Sequence, residues 1–307
     1  MLAGEKILIT GATGKIAFPI ARALAKGNEV WGSARLRNPG DGDKLEGAGI
    51  RPLRFDMAQD EVSSLPDDFT YVFHAAVDPA GIRGEWPGFV RTNAHKAGDL
   101  LHHCRSAKGF VYCSTGSTYA YQGHRPLKET DPPGVPQPGT ENYSFAKVAG
   151  EAVCTWVAER FGVPLTIIRI FSTYGPEGGA PAARFEAMLR GEAVKLHIDA
   201  PNNFNPIYED DYVELGIRAM EVAATPPVVV NWSGSETVSI EDYCTYMGEL
   251  AGIEPKFEYA DDVHTPLWSD TTLMHEILGR TKVHWRDGMR RMIEVRHPEI
   301  KLKDQTQ

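Results

Sequence analysis

The stretch KILITGATGKIA (6–17) runs from an apolar strand straight into a turn holding Gly11 and Gly14, and then opens a helix. Glycine permits the tight turn and lets backbone N–H groups approach a bound group closely, while a helix N-terminus behind them favours negative charge. Ala17 stands where a third small residue lets the helix pack on the strand. The turn alone is a weak signal, and its place at the head of an alternating chain strengthens it. EVWGS (29–33), IRPLRF (50–55), YVFHAA (71–76), GFVYCS (109–114) and PLTIIRI (164–170) alternate with helical patterns, among them 88–105 and 143–161. Such alternation predicts right-handed crossovers and a parallel sheet covered by helices on both faces. The unbroken apolar character of YVFHAA and TIIRI suits strands buried on both sides.

After Phe171 the rhythm changes. Loops lengthen and fill with Pro and Gly, as in YGPEGGAPAAR (174–184), and VVVNWSG (228–234) reads as one more sheet strand. The expected division is a nucleotide-binding domain over 1–176, with sheet returns near 206–232, and a smaller lobe over 177–205 and 233–307. The segment 125–142 carries five prolines and is expected to be an irregular surface loop just before Tyr143.

Composition narrows the partners. The net charge is -9, with no long block of like charge, which argues against nucleic acid and against an anionic membrane surface. No apolar run approaches the ~20 residues of a membrane helix. The N-terminal MLAGEKILIT lacks the basic-then-apolar pattern of an export signal, so a cytoplasmic location is expected. Cys104, Cys113, Cys154 and Cys244 are scattered without metal-like spacing, so they read as buried free thiols, and no metal site is expected.

A Gly-rich turn after the first strand of an alternating chain predicts a dinucleotide. The second strand should then end beside the adenosine ribose, where an acidic residue would bind the hydroxyls. Ser33 and Ala34 occupy those positions, and Arg35 and Arg37 come next. Arginine forks onto phosphate, so the pattern favours NADP(H), with NAD(H) as the alternative. Farther on, ENYSFAKVAGE (141–151) sets Tyr143 and Lys147 one turn apart at a helix start. Any helix makes such neighbours, so the pair by itself reads as surface packing.

TGATGKIA, HAAVD, VYCSTGSTYAY, YSFAK and RIFSTYGP occur in this order and together resemble the extended short-chain dehydrogenase/reductases, the NAD(P)-dependent epimerase/dehydratase group. The likeness runs from about Lys6 to the end. It implies a Rossmann-type, doubly wound, mostly parallel seven-stranded sheet with a smaller C-terminal substrate-binding lobe. It also implies that Thr115, Tyr143 and Lys147 are catalytic. A carbonyl gaining hydride needs a proton donor, and a phenol of pKa ~10 suits acid work, while a nearby lysine cation favours the phenolate. Ser114 is the rival of Thr115, and along a strand it should point to the opposite face. Gly11, Thr13, Gly14, Lys15 and Ile16 match the phosphate turn, and Asp56 and Met57 the adenine contact. His74, Ala75 and Ala76 match the small-residue turn under the cofactor, Asn93 a family Asn, and Phe171 and Thr173 positions beside the nicotinamide. Asp78, Trp86, Ser117 and Ser172 are candidate substrate contacts. The resemblance further implies a homodimer through the helices around 93–106 and 143–161, with Ala146, Ala149, Gly150 and Ala152 permitting close packing.

Departures from the family pattern bear on substrate. Gly116 and Ser117 stand where the dehydratases carry an Asp-Glu pair, which argues against dehydration. Ser172 replaces a common Asn, and PNNFNPIYEDD (201–211) lacks the Arg that clamps a diphosphate, with Asn203 near that position. The expected activity is therefore NAD(P)-dependent hydride transfer with a carbonyl or secondary alcohol lacking a nucleotide diphosphate. A sugar or nucleotide-sugar epimerase with retained cofactor is the second reading, and a non-catalytic nucleotide sensor the third.

Overall fold

The computed structural model describes residues 2–78, 86–134, 138–139 and 141–303. The strands β1 (Lys6–Thr10), β2 (Glu29–Ala34), β3 (Arg51–Arg54), β4 (Tyr71–His74), β5 (Gly109–Thr115) and β6 (Leu165–Ile170) form one seven-stranded sheet with Val228–Trp232. Its order is Val228–Trp232, β6, β5, β4, β1, β2, β3. The pairings β1–β2, β2–β3, β1–β4 and β4–β5 are all parallel. The sheet therefore has the doubly wound, Rossmann-like form expected from the alternating pattern. Ile7, Leu8 and Ile9 are fully buried in β1, as a strand covered on both faces must be.

Helices between the first six strands are α1 (Ala17–Leu24), α2 (Asp41–Gly47), α3 (Trp86–Val90), α4 (Lys96–His103) and α5 (Glu141–Phe161). A π-helical turn, Arg91–His95, joins α3 to α4. Asn93 lies in that turn. Its Oδ1 accepts from the Asp78 N–H at 2.8 Å and its Nδ2 donates to the Phe89 carbonyl at 3.0 Å, so the extra residue of the turn secures the loop leaving β4. α5 buries Ala146, Lys147, Gly150, Cys154, Val157 and Ala158. That spacing draws one continuous face, and its small residues let the helix lie close to β5. A Cβ on Gly150 would fall 2.0 Å from the Tyr112 hydroxyl.

The chain divides into two compact units, the first comprising Met1–Thr118, Thr140–Arg169 and Val213–Val230. The second comprises Tyr119–Gly139, Ile170–Tyr212 and Asn231–Gln307. These units overlap the expected domains without coinciding with them, since 119–139, 170–176 and 206–212 fall in the second. Within it, Ser172–Gly175 pairs in parallel with Pro206–Tyr208, and Val194–His197 with Phe257–Ala260. Tyr174, Phe185, Tyr243, Met247 and Met289 form its core. The proline-rich loop is moored inside this unit. Asn231 accepts from the Tyr119 hydroxyl at 2.6 Å and donates to the Leu127 carbonyl at 2.9 Å, while its N–H binds Glu129 at 2.9 Å. Residues 135–137 and 140 of that loop lie outside the described residues.

Candidate active site

The first turn of the chain builds one wall of a cavity. Gly11 has φ +69°, the left-handed region, and a Cβ there would come within 3.0 Å of the Ala76 Cα. Only glycine satisfies both the backbone angle and the close approach. Gly11, Thr13, Gly14, Arg35, Asp56, Met57, Ala75 and Ala76 line the cavity together with Ser33, Ala34, Phe55, Val77 and Asp78. Eight of the residues expected to hold a cofactor thus meet here. The donor set suits a dinucleotide: backbone N–H groups at a helix start, a glycine cradle and flanking apolar surface. Phe55 and Val77 add apolar surface to the lining that no sequence motif marks. Phe55 ends the strand run IRPLRF directly before Asp56, and that position is its signal in the sequence.

Other expected residues stand elsewhere. His74 does not line the cavity. It is fully buried, its Nδ1 lies 2.7 Å from the Thr10 hydroxyl, and that hydroxyl accepts from the Ala76 N–H at 3.1 Å. The ring therefore supports the turn from beneath, and burial holds its pKa down at about 3. Asn93 likewise acts on the loop through the Asp78 N–H, and Lys15 and Ile16 lie at the start of α1 outside the lining. Arg37 points its guanidinium at Asp56, 2.7 Å away, and Arg35 faces Asp78 at 3.7 Å. Both arginines on which the NADP(H) expectation rested are thus directed at carboxylates. Phe171, Ser172 and Thr173 belong to the second unit. Trp86 opens α3 half-exposed, its ring edge-on to that of Phe145 with centroids 5.8 Å apart.

Thr115, Tyr143 and Lys147 converge at the carboxyl end of β5. In a parallel sheet that end shares an edge with the Gly11 turn, two strands away in the order β5, β4, β1. The Thr115 hydroxyl hydrogen-bonds the Tyr143 phenol and lies 2.9 Å from the Ser117 hydroxyl. Strand alternation turns Ser114 the other way, where its hydroxyl donates to Glu151. Lys147 is buried and donates to the Cys113 carbonyl at 2.6 Å, with Nζ 5.8 Å from the Tyr143 ring centroid and 5.0 Å from that of Tyr112. Burial pushes the Tyr143 phenol up to about 12, and its bond from Thr115 works in the opposite direction. Burial also lowers the Lys147 pKa. The arrangement combines a weakly acidic phenol, a hydroxyl beside it and a buried cation, which is the equipment for moving a proton to or from a bound oxygen.

Among the described residues no group of His, Cys, Asp or Glu is placed to hold a metal, and no helix is long and apolar enough to cross a membrane. All four cysteines are buried and free.

Comparison with known proteins identifies the family and the fold. The model of the NAD dependent epimerase/dehydratase family matches residues 7–231. An uncharacterized UDP-glucose epimerase of Bacillus subtilis is 25% identical, covering 89% of this chain and 92% of its own. The UDP-glucose 4-epimerase of Thermotoga maritima, solved with UDP-glucose, is 26% identical with a TM-score of 0.80, covering 96% of this chain and 99% of its own. A UDP-glucuronic acid 4-epimerase from Bacillus cereus, solved with NAD, is alike in fold, with a TM-score of 0.82 at 24% identity over 96% of this chain and 99% of its own.

Proposed function

Because the chain belongs to the NAD-dependent epimerase/dehydratase family, a group of extended short-chain dehydrogenase/reductases, we propose that it is a nucleotide-sugar epimerase that keeps its cofactor. The observation that carries this is the Thr115–Tyr143–Lys147 cluster in a chain similar over nearly its whole length to UDP-sugar epimerases. Tyr143 takes the proton from one sugar hydroxyl and returns a proton to the same oxygen, Thr115 holds that oxygen, and Lys147 stabilises the phenolate. The cavity of Gly11, Gly14, Ala75 and Ala76 would hold the dinucleotide, which when bound supplies reversible hydride acceptance. The cofactor proposed is NAD(H), since Arg35 and Arg37 both face carboxylates and the Bacillus cereus neighbour carries NAD.

The sequence pattern points first to a reductase whose substrate lacks a diphosphate, and the comparisons favour the second reading. Its main objection is the missing arginine in 201–211. Arg184 offers a guanidinium in the same unit, 5.9 Å from the ring centroid of Phe204 and 6.0 Å from that of Tyr243. It makes no ion pair among the described residues and hydrogen-bonds Tyr243, and we propose that this guanidinium serves the phosphate instead of the missing arginine. We further propose a homodimer through the exposed face of α4 and α5, where Trp156 and Phe161 stand out, in a reducing compartment such as the cytoplasm. Gly150 and Ala146, expected to serve that contact, are instead buried, Gly150 against β5.

Incubation with UDP-glucose and UDP-glucuronate, with proton NMR as the readout, tests the proposal. The expected outcome is inversion at one sugar carbon without net formation of reduced dinucleotide. Stoichiometric dinucleotide turnover on a carbonyl or alcohol, with no inverted sugar, would return the assignment to the reductase.

A further inference from the structure

Beneath the proposed proton-transfer pair lies a charged cluster that the reaction itself does not use. Glu151 sits one turn after Lys147 on α5, so the two side chains are neighbours on the same helix face. Its carboxylate accepts from two residues. Ser114 of β5 donates its hydroxyl, and Arg169 of β6 donates from Nη2 at 2.7 Å and from Nε at 3.0 Å. The Glu151 and Arg169 side chains are only 12% and 13% exposed. One carboxylate therefore ties α5 to two adjacent strands, close to where Lys147 reaches the Cys113 carbonyl.

We propose that Glu151, clamped by Ser114 and Arg169, is a positioning residue that fixes the rotation of α5 on the sheet and keeps Lys147 cationic beside Tyr143. The proposal rests on the catalytic reading of Tyr143 and Lys147. Its electrostatic half comes from the surroundings of the ammonium. Tyr143, Glu151 and Cys154 face it from α5, Tyr112 and Cys113 from β5, and His74 from β4. Burial lowers the Lys147 pKa first; Cys113, Cys154 and Glu151 act against it. Both thiols are pushed up to about 12 by burial and are neutral near pH 7, as is His74. Glu151 is the carboxylate of this set, held in an ion pair with Arg169. A buried ammonium with no anion beside it tends to lose its proton. The geometric half explains Ser114: the residue that looks like the rival of Thr115 faces the opposite side of β5 and holds the clamp.

The test compares Glu151→Gln, Glu151→Asp and Ser114→Ala in the full chain. For Glu151→Gln, we expect kcat to fall at least tenfold with KM nearly unchanged, and the alkaline limb of the pH–rate profile to move down by about one unit. Carbon NMR titration of labelled lysine in cofactor-free protein should show the same downward shift for Lys147. Glu151→Asp should restore most of that shift. Ser114→Ala, which leaves the Glu151–Arg169 pair intact, should lower kcat about threefold with KM and melting temperature little changed. Glu151 variants that melt earlier but keep the parental pH profile and lysine titration would reduce the cluster to a plain structural tie and overturn the proposal. Should Glu151→Gln not fold, a folded Ser114→Ala with parental kcat and a parental pH–rate profile would overturn it equally. Full activity in Tyr143→Phe would instead remove the catalytic reading beneath it, so the two failures are distinguishable.

Discussion

Replacing Gly150 with alanine sets two opposed effects against each other. In mid-helix, alanine should gain about 0.8–1 kcal/mol over glycine through propensity. The structure opposes that gain. The new methyl carbon would lie 2.0 Å from the Tyr112 hydroxyl and 2.7 Å from the ring carbon that bears it. Tyr112 cannot swing clear, since it is fully buried and its ring is stacked at 5.9 Å on His74. Overpacking a filled core typically costs about 1–3 kcal/mol, and an overlap this deep belongs at the upper end. The net expectation is a loss of about 2 kcal/mol, or roughly 4–8 °C in melting temperature. Circular dichroism melts of three variants check the reasoning. Tyr112→Phe alone should be neutral or slightly stabilising, because its hydroxyl is buried without a hydrogen-bond partner. The double variant Gly150→Ala/Tyr112→Phe should recover about half the loss, with the ring carbon still tight. Activity should fall further than stability in Gly150→Ala, because the Lys147 ammonium lies over the displaced ring at 5.0 Å. A Gly150→Ala protein that melts at or above the parent would refute the argument.

Tyr143→Phe should fold and bind dinucleotide yet lose about 10²–10⁴ in single-turnover rate, with Thr115→Ala severe and Thr115→Ser mild; near-parental hydride transfer in Tyr143→Phe would defeat the mechanism. Fluorescence titration should show NADH binding more tightly than NADPH, and a clear preference for NADPH would restore a phosphate role to Arg35 and Arg37. His74 stays neutral in the fold while the unfolded chain takes a proton below its ordinary 6.5, so stability present above that pH declines as pH falls toward about 3. The loss should reach about 2 kcal/mol by pH 5 and flatten in His74→Gln, as urea titrations at several pH values would reveal. Trp156→Glu should convert a dimer to monomer in sedimentation velocity, and a parent already monomeric at micromolar concentration contradicts the proposed assembly.

The alternation of short apolar runs with helical segments determined the parallel sheet, because strands buried on both faces must be apolar throughout. The Gly11–Gly14 turn determined where the cavity of the first unit would open, because the Gly11 backbone angle and its contact with Ala76 admit no side chain. Period separates Ser114 from Thr115 as well, since neighbours on a strand face opposite ways. Other features depend on residues distant in sequence, and no spacing reports them. Arg35 and Arg37 read as phosphate ligands until folding directs them at Asp78 and Asp56. His74 reads as part of the cofactor turn until Thr10, 64 residues earlier, claims its ring from below. Gly150 reads as a dimer contact until Tyr112 is found filling the space above it. Arg184 and Phe204 are 20 residues apart in the chain and gain meaning only when a helix and a strand bring them together. Local pattern fixes which face a residue presents, but what meets that face, whether a carboxylate, a ring or a ligand, is decided by packing between segments the pattern does not connect.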